Sequence, residues 1–211
     1  KLILKGINPK KMIINFSTRD KNTLALQSEI LGAASMGISN LLLVKGDPIS
    51  IGNSKKSKEV FELKTNELIS LVNNLNKGID YSRNLINFYP KFTIGSTLNI
   101  NLPLKNIQRT LIKRQNIGSD FLITQPLYSE EDFVNLTKLS KFSKCKIFAG
   151  IFPIKNKKTF KNLNSKIDGI NRNNILFDEL KKSNEEDFLK ISSKYLIKLL
   201  KKYKKDLHGV H

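Results

Sequence analysis

Tryptophan is absent from this 211-residue chain, and cysteine occurs once, at Cys145. A single thiol closes no internal disulfide and excludes a cysteine-rich metal site. It fits a reducing compartment, so a cytoplasmic protein is expected. Histidine is nearly as scarce: both residues, His208 and His211, stand at the C-terminal end. A Ser-His-Asp or Cys-His mechanism would have to draw its base from there, and HExxH is missing. No metal site is therefore expected. The chemistry must rest on carboxylates, amides, cations or a bound cofactor. No apolar run approaches the roughly 18 residues of a membrane span. No signal peptide opens the chain, so no membrane association is expected.

Acidic residues are also in short supply. The 18 Asp and Glu face 37 Lys and Arg, a formal net charge of +19. Such a charge attracts polyanions, nucleic acid included. The lysines, however, run through the whole chain among many asparagines and isoleucines, as in the product of an AT-rich genome. There is no zinc-finger spacing and no RNA-binding aromatic motif. The densest basic run, KLLKKYKKD, lies in a helical pattern and reads as a solvated face. No specific nucleic-acid partner is expected. The first residue is Lys1 rather than Met, and His211 ends what reads as a strand still running. The chain is expected to be an excerpt of a longer protein.

What is present is alternation. Short apolar runs read as strands: MIINFST, NLLLVKG, KFTIGSTLN, DFLITQPLY and CKIFAGIFPI, with LHGVH as a sixth. Between them lie amphipathic stretches of helical period. NTLALQSEILGAASMG closes on Gly37, and TNELISLVNNLNKG opens on Thr65 as a candidate cap and closes on Gly78. LPLKNIQRTLIKRQNIG follows, then SEEDFVNLTKLSKF with a serine cap and acids in its first turn. A long helical stretch covers about 157–204 with interruptions. The polar segment 49–58 reads as a loop.

Continuous apolar strands alternating with helices imply an α/β fold with a parallel sheet. A Rossmann sheet should carry GxGxxG after its first strand, and none occurs. Instead, polar residues recur just after strands: Arg19 and Asp20, Lys45 and Asp47, Asn99 and Asn101, Gln125, Lys155. In a (β/α)8 TIM barrel these ends converge on one mouth, where active sites sit. Six strands fall short of eight, so about two strands are expected to precede residue 1. The whole of 1–211 reads as a single partial barrel domain.

Three stretches carry a family resemblance. STRDKNTLALQSEILGAASMGISNLLLVKGDP, GSDFLITQPLYSEEDF and FAGIFPI resemble, in order and spacing, segments of the methylenetetrahydrofolate reductase family. The nearest likeness is to the reductase half of bifunctional homocysteine methyltransferase proteins. The resemblance implies an eight-stranded barrel holding FAD, with NADH or NADPH as electron donor. The implied reaction is reduction of 5,10-methylenetetrahydrofolate to 5-methyltetrahydrofolate, in one-carbon and methionine metabolism. The implied partner is the folate substrate, and a homo-oligomer is compatible with it. The family's Glu-Phe-x-Pro, whose glutamate protonates the folate, has no match in this chain.

The resemblance also implies roles. Asp47 matches the carboxylate near flavin and folate and is the candidate catalytic and substrate-binding residue. Gln125, in Thr-Gln-Pro, is a second substrate ligand, its amide able to donate and accept on a pterin edge. Lys45, Gly46 and Asp47 are expected at the cofactor, with Phe61 flanking it. Asn99 and Asn101 follow the strand that faces FAD in the family. Arg114 stands where a lysine often appears. Asn15 replaces a histidine that usually touches FAD. Arg19 and Asp20 match the family's Arg-Asp and read as an ion pair shaping the mouth. Two readings compete with the reductase: a non-catalytic folate- or flavin-binding barrel subunit, and a basic nucleic-acid binder.

Overall fold

The computed structural model describes residues 7–52, 56–165, 170 and 174–211. Part of the 49–58 loop and part of the 157–204 stretch lie outside the described residues. The chain divides into two compact units, residues 1–97 with 113–121, and residues 98–112 with 122–211.

The first unit is built on three parallel strands, β1 (Ile13–Ser17), β2 (Asn40–Val44) and β3 (Thr93–Leu98). Two helices connect them, α1 (Thr23–Ser35) and α2 (Thr65–Asn76). Alternation decides which side chains meet the helices. Phe16, Leu41, Leu43 and Ile94 join the core that includes Leu26 and Ile30 from α1 and Leu68, Val72 and Leu75 from α2. Leu41, Leu43 and these five helix residues are fully buried, each worth roughly 1.5–3 kcal/mol. The intervening residues, Asn15, Leu42 and Gly95, form one lateral row on the opposite face. Gly95 has no room for a side chain there: a Cβ would lie 2.1 Å from Cζ of Phe121.

Asn22 caps α1, its Oδ1 accepting from the Ala25 N–H at 2.9 Å. The chain leaves α1 through Gly37 at φ +81°. The start of α2 differs from the cap expected at Thr65. Thr65 is already helical, and Lys64 is the cap residue. The Glu67 carboxylate reaches back to the Lys64 N–H at 2.6 Å, and this bond moves the first turn one residue earlier.

The second unit holds most of α3 (Leu104–Asn116), then β4 (Phe121–Pro126), α4 (Glu130–Phe142) and β5 (Lys146–Gly150). It ends in α5 (Lys157–Ser165), α6 (Ile175–Lys182) and α7 (Phe188–Tyr203). Ser129 caps α4, its Oγ accepting from the Asp132 N–H, while Asp132 Oδ2 accepts from the N–H groups of Tyr128 and Ser129. β4 and β5 are neighbours. The LHGVH segment pairs in parallel with β5 through a bridge between Val210 and Ala149. His208 is committed to this pairing: its Nδ1 accepts from the Ile147 N–H at 3.0 Å.

Leu122, Ile147, Leu136 and Leu139 form one core of this unit. A second is aromatic, with Phe177 packed 5.3 Å from Tyr128 and 5.1 Å from Phe160, centroid to centroid. Parallel strands alternating with helices are the α/β class read from the sequence. Among the described residues no helix is long and apolar enough to cross a membrane.

Candidate functional site

The ends of β1 and β2 are knitted together by their own sequences. The carbonyl of Lys45 accepts from Ser17 Oγ at 3.1 Å and Thr18 Oγ1 at 3.2 Å. Gly46 then turns the chain at φ +85°, tight against β1: a Cβ there would sit 2.2 Å from Ser17 Oγ. Arg19 closes the same corner. Its Nε and Nη2 grip Asp20 at 2.6 and 3.0 Å, and its Nη1 donates to the carbonyl of Asp47 at 2.9 Å. The bond to Asp20 is the main reason the guanidinium is held above its ordinary value, with the charges of Asp47 and Glu59 adding to it. The ion pair read from Arg19 and Asp20 is present. The Asp47 carboxylate stands at an exposed position at the end of this braced turn.

A third segment completes the corner. Val60 N–H donates to the Arg19 carbonyl at 2.8 Å, and Phe61 N–H to the Thr18 carbonyl at 3.1 Å. These bonds hold Phe61 at φ +44°, a conformation that aromatic residues rarely adopt. The Phe61 ring lies under Lys45, whose Nζ is 5.2 Å from the ring centroid, a cation–π distance. Lys45 and Phe61, expected at a cofactor, are thus in contact.

Both line an open cavity of about 500 Å³ that also receives Arg114 and Asn66. Nε and Nη1 of Arg114 are buried without a hydrogen-bond partner, as is Oδ1 of Asn66. Burial lowers the Arg114 guanidinium below its ordinary value. A buried donor or acceptor left unpaired costs roughly 1–3 kcal/mol. The lining itself brings the cations Lys45 and Arg114 and the amide of Asn66 to one cavity, a set that suits an anion carrying a hydroxyl or N–H. The phosphates and hydroxylated chain of FAD would suit a lining of two cations and an amide. Asn66 was not among the residues expected from sequence. It stands in the first turn of α2, where a polar side chain reads as a helix start.

Asn15 is exposed on β1, in register with Leu42 and on the face opposite the helix-covered core. An amide there offers one donor and one acceptor.

In the second unit, Gln125 lies near the end of β4, half-buried, with its Oε1 buried and unpartnered. Its backbone is fixed by its neighbours. Thr124 Oγ1 donates to the Gln125 carbonyl at 2.8 Å and accepts from the Gly150 N–H at 2.9 Å. Gly150 is required here, since a Cβ would fall 2.7 Å from the Gln125 carbonyl oxygen. Asn99 and Asn101 follow β3 in the same unit, half-buried, with the Asn101 N–H bonded to Asn99 Oδ1 at 2.9 Å. The structure therefore gathers Lys45, Gly46, Asp47, Phe61 and Arg114 in the first unit. Asn99, Asn101 and Gln125 belong to the second.

No curated protein sequence matches the chain significantly. Among solved structures, an uncharacterized protein from Clostridium thermocellum that binds two copies of 5-methyl-5,6,7,8-tetrahydrofolic acid is similar in fold. It has a TM-score of 0.50 and 14% identity, over 100% of this chain and 90% of that one. A dihydrodipicolinate synthase from Aquifex aeolicus matches with a TM-score of 0.44 and 14% identity, over 94% of this chain and 67% of that one. A putative lyase/mutase from Burkholderia cenocepacia matches with a TM-score of 0.40 and 12% identity, over 66% of this chain; the chain spans 46% of that protein. The family model for methylenetetrahydrofolate reductase matches residues 9–211. With nearly its whole length matched, the chain belongs to the methylenetetrahydrofolate reductase family.

Proposed function

We propose that this protein is a flavin-dependent reductase that converts 5,10-methylenetetrahydrofolate to 5-methyltetrahydrofolate, with NADH or NADPH as donor. The observation that carries the reading is the cavity lined by Lys45, Phe61, Asn66 and Arg114, two cations with an aromatic ring and an amide. Family membership supports reading this cavity as a cofactor site. The folate-binding neighbour of similar fold gives independent support for a folate ligand.

Arg114 and Lys45 would hold the phosphates of FAD, with Asn66 accepting from a hydroxyl and Phe61 flanking the group. FAD, when bound, supplies hydride transfer between the nicotinamide and the folate. Gly46 lets the backbone come close to the ligands. Asp47 presents a carboxylate that favours the cationic iminium form of the folate and orients the pterin by hydrogen bonding. In the second unit, half-buried Gln125 offers an amide that would donate to and accept from a folate. A neutral amide suits that task because it reads the edge without adding charge.

Two ligand titrations on the full-length protein test the assignment. R114M should weaken FAD binding by tenfold or more and leave folate contacts intact. Q125A should weaken 5-methyltetrahydrofolate binding by about tenfold, one lost hydrogen bond, with FAD binding preserved. Equal effects of both variants on both ligands would refute the division of roles.

A second reading is a non-catalytic folate- or flavin-binding member of the family. Asn15 favours it, because an amide replaces the titratable side chain usual at that position. Binding of both ligands without nicotinamide oxidation would select it.

A further inference from the structure

We infer that Arg19 is the positioning residue for Asp47, a role that rests on reading Asp47 as the substrate-facing carboxylate. Arg19 ties together three segments that lie far apart in the sequence. Its N–H donates to Ser17 Oγ at 3.1 Å, at the end of β1. Its carbonyl accepts from Val60, in the segment that carries Phe61. Its Nη1 reaches 28 residues along the chain to the Asp47 carbonyl. A guanidinium can do this because its donors form a rigid planar fork. Two of them are fixed on both oxygens of Asp20, so the third points in a set direction.

The bond to the Asp47 carbonyl fixes the peptide plane between Asp47 and Pro48. Gly46 precedes Asp47 at φ +85°, in a corner so close that a Cβ there would lie 2.2 Å from Ser17 Oγ and 3.0 Å from Arg19 Cβ. Pro48 restricts the next φ, at −54°. With the Asp47 carbonyl held and the next φ restricted, the direction in which the Asp47 side chain leaves the backbone is limited. Lysine cannot substitute. A single ammonium cannot chelate Asp20 and reach residue 47 along a fixed line.

The test compares wild type, R19K and R19A in the full-length protein. The backbone amide resonances of Gly46 and Asp47 are followed by NMR, with those of Leu26 and Leu68 as reporters of the intact core. Both variants should shift or broaden the Gly46 and Asp47 signals and leave the core signals in place. In the reductase assay R19K should lower kcat about ten- to a hundredfold, the scale of a misplaced reacting group. Flavin content and the nicotinamide KM should stay unchanged. Added guanidinium should restore part of the R19A activity. Unchanged Gly46 and Asp47 resonances in folded R19K would overturn the proposal, even if R19A fails to fold. A wild-type protein that reduces no folate would overturn the functional reading instead, and the resonances would still decide the role of Arg19.

Discussion

The hydroxyl of Ser17 occupies the space in which Gly46 would carry its Cβ, 2.2 Å from the site such an atom would take. β1 and β2 therefore approach at their ends as closely as a backbone without a side chain permits. The strand that ends in Lys-Gly-Asp-Pro needs its glycine for two reasons, the positive φ and this contact.

Replacing Gly46 by alanine should cost about 2 kcal/mol or more, the sum of a left-handed backbone strain and a steric clash. The S17A–G46A pair removes the shortest contact and keeps the strain and the 3.0 Å approach to Arg19 Cβ, so it should recover part of the loss. Urea denaturation of the two single variants and the pair measures both terms. Full recovery would assign the whole effect to packing.

Arg114 should be a liability when its cavity is empty. Methionine has a similar length and needs no hydrogen bonds, so R114M should raise the stability of the ligand-free protein by on the order of 1 kcal/mol. The same variant should lose the added stability that FAD gives the wild type. Thermal unfolding with and without FAD reads both.

Gly95 lies against the Phe121 ring. G95A should destabilise the first unit by about 1–3 kcal/mol, the usual cost of overpacking. F121L, which shortens the intruding side chain, should relieve much of that when combined with G95A. A non-additive double-mutant cycle is the expected result.

Burial raises the Asp132 carboxyl above its ordinary value, against the bonds it accepts from Ser129 and Tyr128. With the folded value above the unfolded one, ionisation opposes folding. The protonated form's stability is present below the ordinary carboxyl value and is lost as pH rises through the raised one. D132N keeps an acceptor for the α4 cap and removes the charge. Its stability relative to wild type should therefore improve between pH 4 and pH 7, by denaturant titration at each pH. D132A leaves the Tyr128 and Ser129 N–H groups without their acceptor and should cost about 1 kcal/mol or more relative to D132N at any pH.

Much of this was legible in the sequence because it is local. Leu26, Ile30 and Ala33 repeat at helical spacing, Asn22 and Ser129 precede helices they cap, and Gly37 and Gly118 end helices with positive φ. The Lys-Gly-Asp-Pro turn stood out because an apolar strand rarely leads into charge. Thr65 misled because Glu67, two residues on, competes for the start of the helix. Asn66 was hidden because its partner in the cavity, Arg114, lies 48 positions away in sequence. Arg19 was legible as half of an ion pair. Its reach to Asp47 was not, since only the folded chain brings the two strand ends together.

The most direct measurement is the visible spectrum of the full-length protein after incubation with FAD. The account predicts flavin absorption bands that bleach on addition of NADH or NADPH and return on addition of 5,10-methylenetetrahydrofolate. A protein that stays colourless after incubation with FAD would contradict it.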